Sequence, residues 1–183
     1  MVTGGSVPAA RVRSAAPSRA RRPGHDPYAE TVHDSVTLHV AAPPEAVWGL
    51  VSDITNTGRF SPETFEAEWL DGSTGPEVGA RFRGHVKRNG RGPTYWTNCR
   101  VTESEPGRVF AFDVCTGSTV VNTWRYDFEP NGDGVDVTES FRLPDKVGTR
   151  IYWALLGRLR GRTNVNGMRT TLERIRAVAE SKG

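Results

Sequence analysis

Between residues 65 and 141 the sequence consists of six short segments with β-strand character and no helical stretch among them. Turn dipeptides separate these segments and supply the unusual backbone angles that tight connections need. Because parallel strands require long crossover connections, the pattern predicts a meandering antiparallel sheet. The predicted strands are 65–70, 80–87, 95–102, 109–115, 120–128 and 135–141, and the dipeptides are Asp71-Gly72, Asn89-Gly90, Pro106-Gly107, Gly117-Ser118 and Asn131-Gly132.

One more strand and two short helices are predicted ahead of this sheet. Apolar and more polar residues alternate over 36–40, which is the period of a half-buried strand. Proline is well tolerated in the first turn of a helix, and Glu45 suits the positive end of the helix dipole. We therefore predict a helix over 45–51 and a second short helix over about 53–58.

The segment from about 148 to 180 is predicted to be a long amphipathic helix. Its apolar residues recur at steps of three and four, with charged residues elsewhere. The apolar positions are Val165, Met168, Leu172, Ile175 and Ala179. Glycine is costly inside a helix, so we expect a bend near Gly161.

Composition limits the chain to one folded domain, predicted over residues 34–180, preceded by a tail. Residues 1–30 are rich in Ala, Pro, Arg, Ser and Gly and are expected to be disordered. The chain has a net charge of +3, and its positive charge is concentrated at the two ends. At the N-terminal end, residues 1–25 carry five arginines and no acidic residue. The sheet region is acidic, which argues against nucleic-acid binding.

The sequence lacks the motifs that several kinds of catalytic chemistry require. Cys99 and Cys115 have no metal-ligand spacing, and the sequence contains no phosphate-binding loop, HExxH motif or nucleophile elbow. We therefore expect no metal and no cofactor. No apolar run is long enough to span a bilayer and no signal-peptide core follows the N-terminal arginines, so a cytoplasmic location is predicted.

The element order resembles that of the START-like, or SRPBCC, superfamily, which includes polyketide cyclases, dehydratases and lipid carriers. This resemblance implies an α+β helix-grip fold, in which a curved antiparallel sheet wraps round a long C-terminal helix and encloses a cavity. It covers roughly residues 34–180. The stretches that carry it are residues 40–48, 79–82, 101–103 with Pro106-Gly107, 124–130, and Gly167-Met168 with Thr171-Leu172.

Strand alternation predicts which side chains face the cavity, although the sequence alone leaves the parity open. The strand at 120–128 presents Asn122, Trp124 and Tyr126 on one face, and the next strand presents Glu139 and Phe141. Asn122 and Glu139 are polar positions among apolar ones, so each needs a partner in protein, water or ligand. Further residues predicted to contact a ligand are Trp96, Phe82, Phe112 and Met168.

Glu139 and His85 are the candidate catalytic residues. A carboxyl group in an apolar pocket has a raised pKa and can transfer protons; the alternative is a structural partner for an arginine. His85 lies on the face of its strand that is predicted to be solvated, and a twist or bulge would be needed to turn it inward.

Three functions remain open from the sequence. The first is a carrier or sensor that binds a hydrophobic small molecule; the second, implied by the resemblance, is a polyketide cyclase or dehydratase acting by orientation and proton transfer. The third is an interaction module that uses the basic C-terminal helix for a weak contact with an anionic surface. The chain could be a monomer or a homodimer.

Overall fold

The computed structural model describes residues 32–90, 92–144 and 147–181, and within these it omits the side chains of residues 32, 33, 89 and 147–163. The predicted tail therefore lies outside the described residues. Within the described ranges, none of the helices combines the length and the hydropathy needed to cross a lipid bilayer.

A single seven-stranded antiparallel sheet and a long C-terminal helix make up the fold. The strands are β1 (Val32–Val40), β2 (Thr64–Leu70), β3 (Arg81–Val86), β4 (Tyr95–Glu105), β5 (Val109–Thr116), β6 (Thr119–Asn131) and β7 (Gly134–Arg142). The helices are α1 (Pro44–Ser52), α2 (Thr57–Phe60) and α3 (Val147–Glu180), with single 3₁₀ turns at Ile54–Asn56 and Arg88–Gly90. The predicted α+β helix-grip architecture is confirmed.

The strand order is β1-β7-β6-β5-β4-β3-β2. Strands β2 to β7 form the predicted meander, whereas β1 pairs with β7 in the register Val36↔Glu139. Strands β1 and β2 therefore occupy opposite edges of the sheet. The helical segment from α1 to α2 connects these two edges.

Local sequence explains where the short helices begin and end. Pro44 occupies the first turn of α1, and Glu45 places an acidic side chain near its N-terminus. Asp53 ends α1 and caps the next turn, because its Oδ1 accepts hydrogen bonds from the backbone N and the Oγ1 of Thr55 at 3.1 and 2.6 Å.

Helix α3 covers one face of the sheet with the predicted apolar stripe. Met168, Leu172, Ile175 and Ala179 are all buried, and the last three pack with residues of the sheet and of α1. The helix is continuous through Gly161. The predicted bend there stays a prediction.

Candidate ligand-binding cavity

A cavity of about 580 Å³ lies between the helix-covered face of the sheet and the helices. This volume is within the range of pockets that enclose a small organic molecule. Strands β2 to β7 supply one wall, α3 supplies the opposite wall, and α2 closes one end. Side chains from α3 at the cavity include Met168, Thr171 and Ile175.

An aromatic floor runs across the sheet at the bottom of the cavity. Trp124 of β6 lies directly opposite Phe141 of β7, and their ring centroids are 4.9 Å apart. On the other side, Phe112 of β5 pairs with Trp124 and makes an edge contact with Phe82 of β3 at 5.1 Å. We call these four residues the aromatic floor. Tilted and edge-on contacts of this kind are favourable, and they leave an apolar surface for a flat ligand.

Glu139 and Tyr126 form a buried polar pair beside this floor. They lie opposite each other on β7 and β6, and the Tyr126 hydroxyl donates a hydrogen bond of 2.8 Å to Glu139 Oε1. Burial raises the pKa of Glu139 to about 8, and the hydrogen bond from Tyr126 opposes this rise only in part. The pKa of Tyr126 is also raised, first by burial and then by the carboxyl group beside it. Glu139 is therefore protonated at neutral pH.

Two polar atoms of the cavity wall have no hydrogen-bond partner among the described residues: Asn122 Oδ1 and Glu139 Oε2. Both residues line the cavity. An unpaired polar atom is costly when it is removed from water, so buried groups nearly always have a partner. These atoms are therefore the positions at which a ligand or water gains most from a hydrogen bond.

The connection from α2 to β2 is held firmly at one end of the cavity. Arg174 of α3 donates to the carbonyl oxygens of Phe60 and Ser61 at 3.3 Å each, and the Ser61 hydroxyl accepts the Thr64 N–H at 2.9 Å. A Cβ on Gly58 would lie only 2.1 Å from the carbonyl oxygen of Phe65, so α2 and β2 approach closely enough to require glycine.

Most of the residues predicted to contact a ligand do line this cavity. They are Phe82, Phe112, Asn122, Trp124, Tyr126, Phe141 and Met168, together with the candidate acid Glu139. The structure thus brings these residues together around one space. Their roles in binding or catalysis stay predictions.

The prediction that Trp96 contacts the ligand is wrong, because this side chain faces away from the cavity. Thr97 and Cys99 of β4 line the cavity, so the alternation of the strand directs Trp96 to the opposite face. There it is 38% exposed, with the Arg83 guanidinium 4.2 Å from its ring centroid. Trp96 therefore belongs to the outer surface of the sheet.

His85 also lies on the outer face, where its ring stacks on Trp96 and makes a tilted contact with Phe65. Its centroid is 4.3 Å from that of Trp96 and 4.4 Å from that of Phe65, and its Nδ1 lies 3.3 Å from Glu66 Oε2. The irregularity near this position is in β2, between Thr64 and Glu66, and does not turn His85 inward. A catalytic role for His85 in the cavity is therefore not supported by its position.

Several cavity residues escaped the sequence prediction. Tyr95 at the start of β4, the buried thiol of Cys99, Val114 of β5 and Thr171 of α3 all line the space. The signal was present in β4, because Cys99 and Val101 share the parity of Tyr95 and are the apolar positions of the strand. Burial raises the pKa of Cys99 to about 12, so this thiol is not a nucleophile at neutral pH.

A curved antiparallel sheet that encloses a cavity with a long C-terminal helix defines a START-like, helix-grip protein. Residues 31–180 match the family described as "Polyketide cyclase / dehydrase and lipid transport", and the chain belongs to this family. None of the proteins with curated descriptions matches the sequence.

Solved structures share this fold. The polyketide-cyclase-like protein Cgl2372 of Corynebacterium glutamicum is 33% identical, with a TM-score of 0.54 over 81% of this chain and 91% of that one. A Nitrosomonas europaea protein, NE0264, shares the fold with a TM-score of 0.60 and 14% identity over 84% of this chain and 97% of that one. StfQ, a di-domain aromatase/cyclase of the steffimycin biosynthetic pathway, is 19% identical with a TM-score of 0.54, over 80% of this chain and 44% of StfQ.

Proposed function

We propose that the protein binds a hydrophobic small molecule non-covalently in its cavity, as a carrier or sensor. The observation that carries this proposal is an aromatic cavity wall with two buried polar atoms that lack partners among the described residues. Apolar surface supplies affinity, and a few polar groups fix orientation, which is the usual division of roles in small-molecule sites. The family description, which includes lipid transport, agrees with such a role.

Filling the cavity is expected to abolish most of this binding. Val114 lines the cavity beside Asn122, its partner across β5 and β6. We expect Val114→Phe to weaken binding of the uncharged fluorophore N-phenyl-1-naphthylamine about tenfold or more, which corresponds to about 1.4 kcal/mol. The measurement is a fluorescence titration of each purified variant.

Val121→Phe is the matched control for this experiment. Val121 is 42% exposed and does not line the cavity, so the same substitution adds the same volume on the outside. It should leave the affinity unchanged. Equal affinities for the wild type and Val114→Phe would contradict binding in this cavity.

A second candidate function is proton transfer to and from a bound carbonyl compound, as in cyclisation or dehydration. It is favoured by Glu139, because a pKa of about 8 suits a general acid or base near neutral pH. Tyr126 holds Oε1 at 2.8 Å, and Oε2 of this cavity-lining residue has no partner among the described residues. In this reading, the carboxylate removes a proton from the carbon beside a ketone and returns one from Oε2.

Hydrogen–deuterium exchange of 2-tetralone in D₂O tests this second candidate. The protein is expected to catalyse exchange at the carbon between the ring and the ketone, with a rate that rises about tenfold per pH unit and levels off above about pH 8. The rise follows the ionised fraction of Glu139. Glu139→Gln should reduce the rate to the uncatalysed value, as followed by NMR. If Glu139→Gln catalysed the exchange as fast as the wild type, Glu139 would be excluded as the base.

A further inference from the structure

The cavity reaches the molecular surface at one end of the sheet. The exposed residues of its lining, which we call the rim, are Pro62, Arg88, Gly90, Tyr95 and Asn166. Tyr95 and Val86 form the last ladder pair of β3 and β4, so the rim lies where β2, β4 and β6 begin. We call this the rim end of the sheet. A molecule that enters or leaves the cavity therefore crosses this end.

Exposed apolar side chains are concentrated at the rim end. Phe65, Tyr95 and Trp96 are 48%, 42% and 38% exposed, and each is one of the first two residues of its strand. The His85 ring joins two of them into one patch, because its centroid is 4.4 Å from that of Phe65 and 4.3 Å from that of Trp96. Among the described side chains, the exposed large apolar residue at the opposite end is Val78. A contiguous apolar patch of this kind marks an interaction surface.

The two ends of the sheet also differ in charge. Residues 86–95, which connect β3 to β4 at the rim end, contain three basic residues and no acidic residue. Two of the three, Lys87 and Arg88, are described and exposed. The corresponding connections at the opposite end carry four acidic residues and two arginines, which are Asp71, Glu77, Glu105 and Asp133, with Arg81 and Arg108. The rim end is therefore the end that an anionic surface attracts.

Helix α3 extends past the rim end with a basic segment. Near its C-terminus, Glu180 accepts a hydrogen bond of 3.0 Å from the Ala41 N–H at the opposite end, whereas Asn164 donates to Asp34 near the start of β1. The helix continues without interruption from Asn164 back to its N-terminus, away from Glu180. In sequence, residues 148–163 contain four arginines, a tyrosine, a tryptophan and no acidic residue. This composition is typical of helices that lie in a membrane interface.

We propose that the rim end docks on an anionic lipid bilayer. Phe65, Tyr95 and Trp96 lie in the interfacial region, and Lys87 and Arg88 contact the headgroups. Tryptophan and tyrosine are enriched at membrane–water interfaces, and basic side chains are attracted to anionic leaflets. An acidic protein would match the charge alone, whereas the contiguous aromatic patch beside a basic connection favours a bilayer. This docking goes beyond the proposed binding function and does not depend on it.

Co-sedimentation of the full chain with vesicles tests the proposal. The vesicles contain phosphatidylcholine and phosphatidylglycerol, and pure phosphatidylcholine vesicles are the uncharged reference. We expect Lys87→Glu to reduce the partition coefficient for the anionic vesicles about tenfold, and Trp96→Ser to reduce it about threefold or more. Neither residue lines the cavity, so the affinity for N-phenyl-1-naphthylamine, measured without vesicles, should not change. That second measurement also shows that each variant is folded.

Arg108→Glu and Val78→Ser are the matched controls at the opposite end. Both side chains are exposed, and the substitutions make the same change in charge or remove an apolar side chain in the same way. They should leave the partition coefficient unchanged. All variants keep the arginines of residues 1–25, so a difference between the two pairs is due to the location of the substitution.

Three outcomes would overturn the proposal. The first is that the wild type does not bind anionic vesicles, and the second is that the rim-end variants bind as the controls do. The third is that Lys87→Glu loses binding whereas Trp96→Ser binds as the wild type, because the surface would then be purely electrostatic and an acidic protein would be its partner. The titration with N-phenyl-1-naphthylamine reports on the proposed binding function separately from all three.

Discussion

Replacing Glu139 by glutamine is expected to remove a strong pH dependence from the stability of this protein. The folded state keeps its proton up to a pKa of about 8, whereas the ordinary value is 4.5. Between these values the folded state binds one more proton than the unfolded state, so the free energy of unfolding falls as the pH rises, by about 1.4 kcal/mol per pH unit. This contribution is fully present below about pH 4.5 and is lost above about pH 8.

Over the whole interval the loss amounts to a free energy of about 5 kcal/mol, which is a large share of the stability of a small domain. Glutamine has no proton to lose, and its Oε1 still accepts from Tyr126, so the variant should show a much flatter profile. Urea denaturation at about pH 5, 6, 7 and 8 measures the difference. Glu129→Gln, at an exposed position on β6, is the control and should follow the wild type. Parallel profiles for the wild type and Glu139→Gln would refute a buried, protonated Glu139.

Gly58→Ala is expected to destabilise the protein by about 3 kcal/mol or more. The added Cβ would clash with backbone atoms, which cannot move aside as a flexible side chain can. The added Cβ would lie 2.1 Å from the carbonyl oxygen and 2.7 Å from the carbonyl carbon of Phe65. Both atoms are backbone, so α2 and β2 must separate. Because Thr57 and Phe60 of α2 line the cavity, the variant should also bind N-phenyl-1-naphthylamine more weakly.

Gly49→Ala provides the matched control for this second experiment. Gly49 is inside α1, and a Cβ there meets nothing within 4 Å. Alanine is the better helix former, so this variant should gain about 0.5–1 kcal/mol. Thermal or urea denaturation of the two variants side by side is the test. If Gly58→Ala were as stable as Gly49→Ala, the close approach of α2 and β2 would be disproved.

The sequence was most informative where two strands pair without interruption. Strands β6 and β7 run in continuous register from Thr123↔Arg142 to Asn131↔Gly134. A single assumption about which face of β6 is turned toward the cavity therefore gives the correct orientation of Trp124, Tyr126, Glu139 and Phe141. Residues that are paired across the ladder point to the same face of the sheet. The polar exceptions among apolar positions, Asn122 and Glu139, could be recognised from the same alternation.

The sequence was least informative where parity and turns are decided by contacts with distant segments. In β4, Tyr95 and Trp96 are adjacent aromatic residues; the parity of Cys99 and Val101 is the one signal in the sequence that favours Tyr95, and the pairing of Cys99 with Phe82 in β3 fixes it. The hydrogen bond from Tyr126 to Glu139 joins two strands through side chains, so no spacing within either strand predicts it. The requirement for Gly58 likewise depends on the carbonyl of Phe65, which α2 meets only in the folded chain.

The pairing of β1 with β7 has a consequence for the order of folding events. Residues 32–40 have their ladder partners at residues 135–142, about a hundred positions later in the chain. Such distant contacts give the chain a high contact order, which slows folding. The strand that carries Glu139 and the helix that covers the cavity, β7 and α3, both follow the other strands of the sheet in the chain. The cavity is therefore complete only after α3 has been translated, and any ligand must bind after that point.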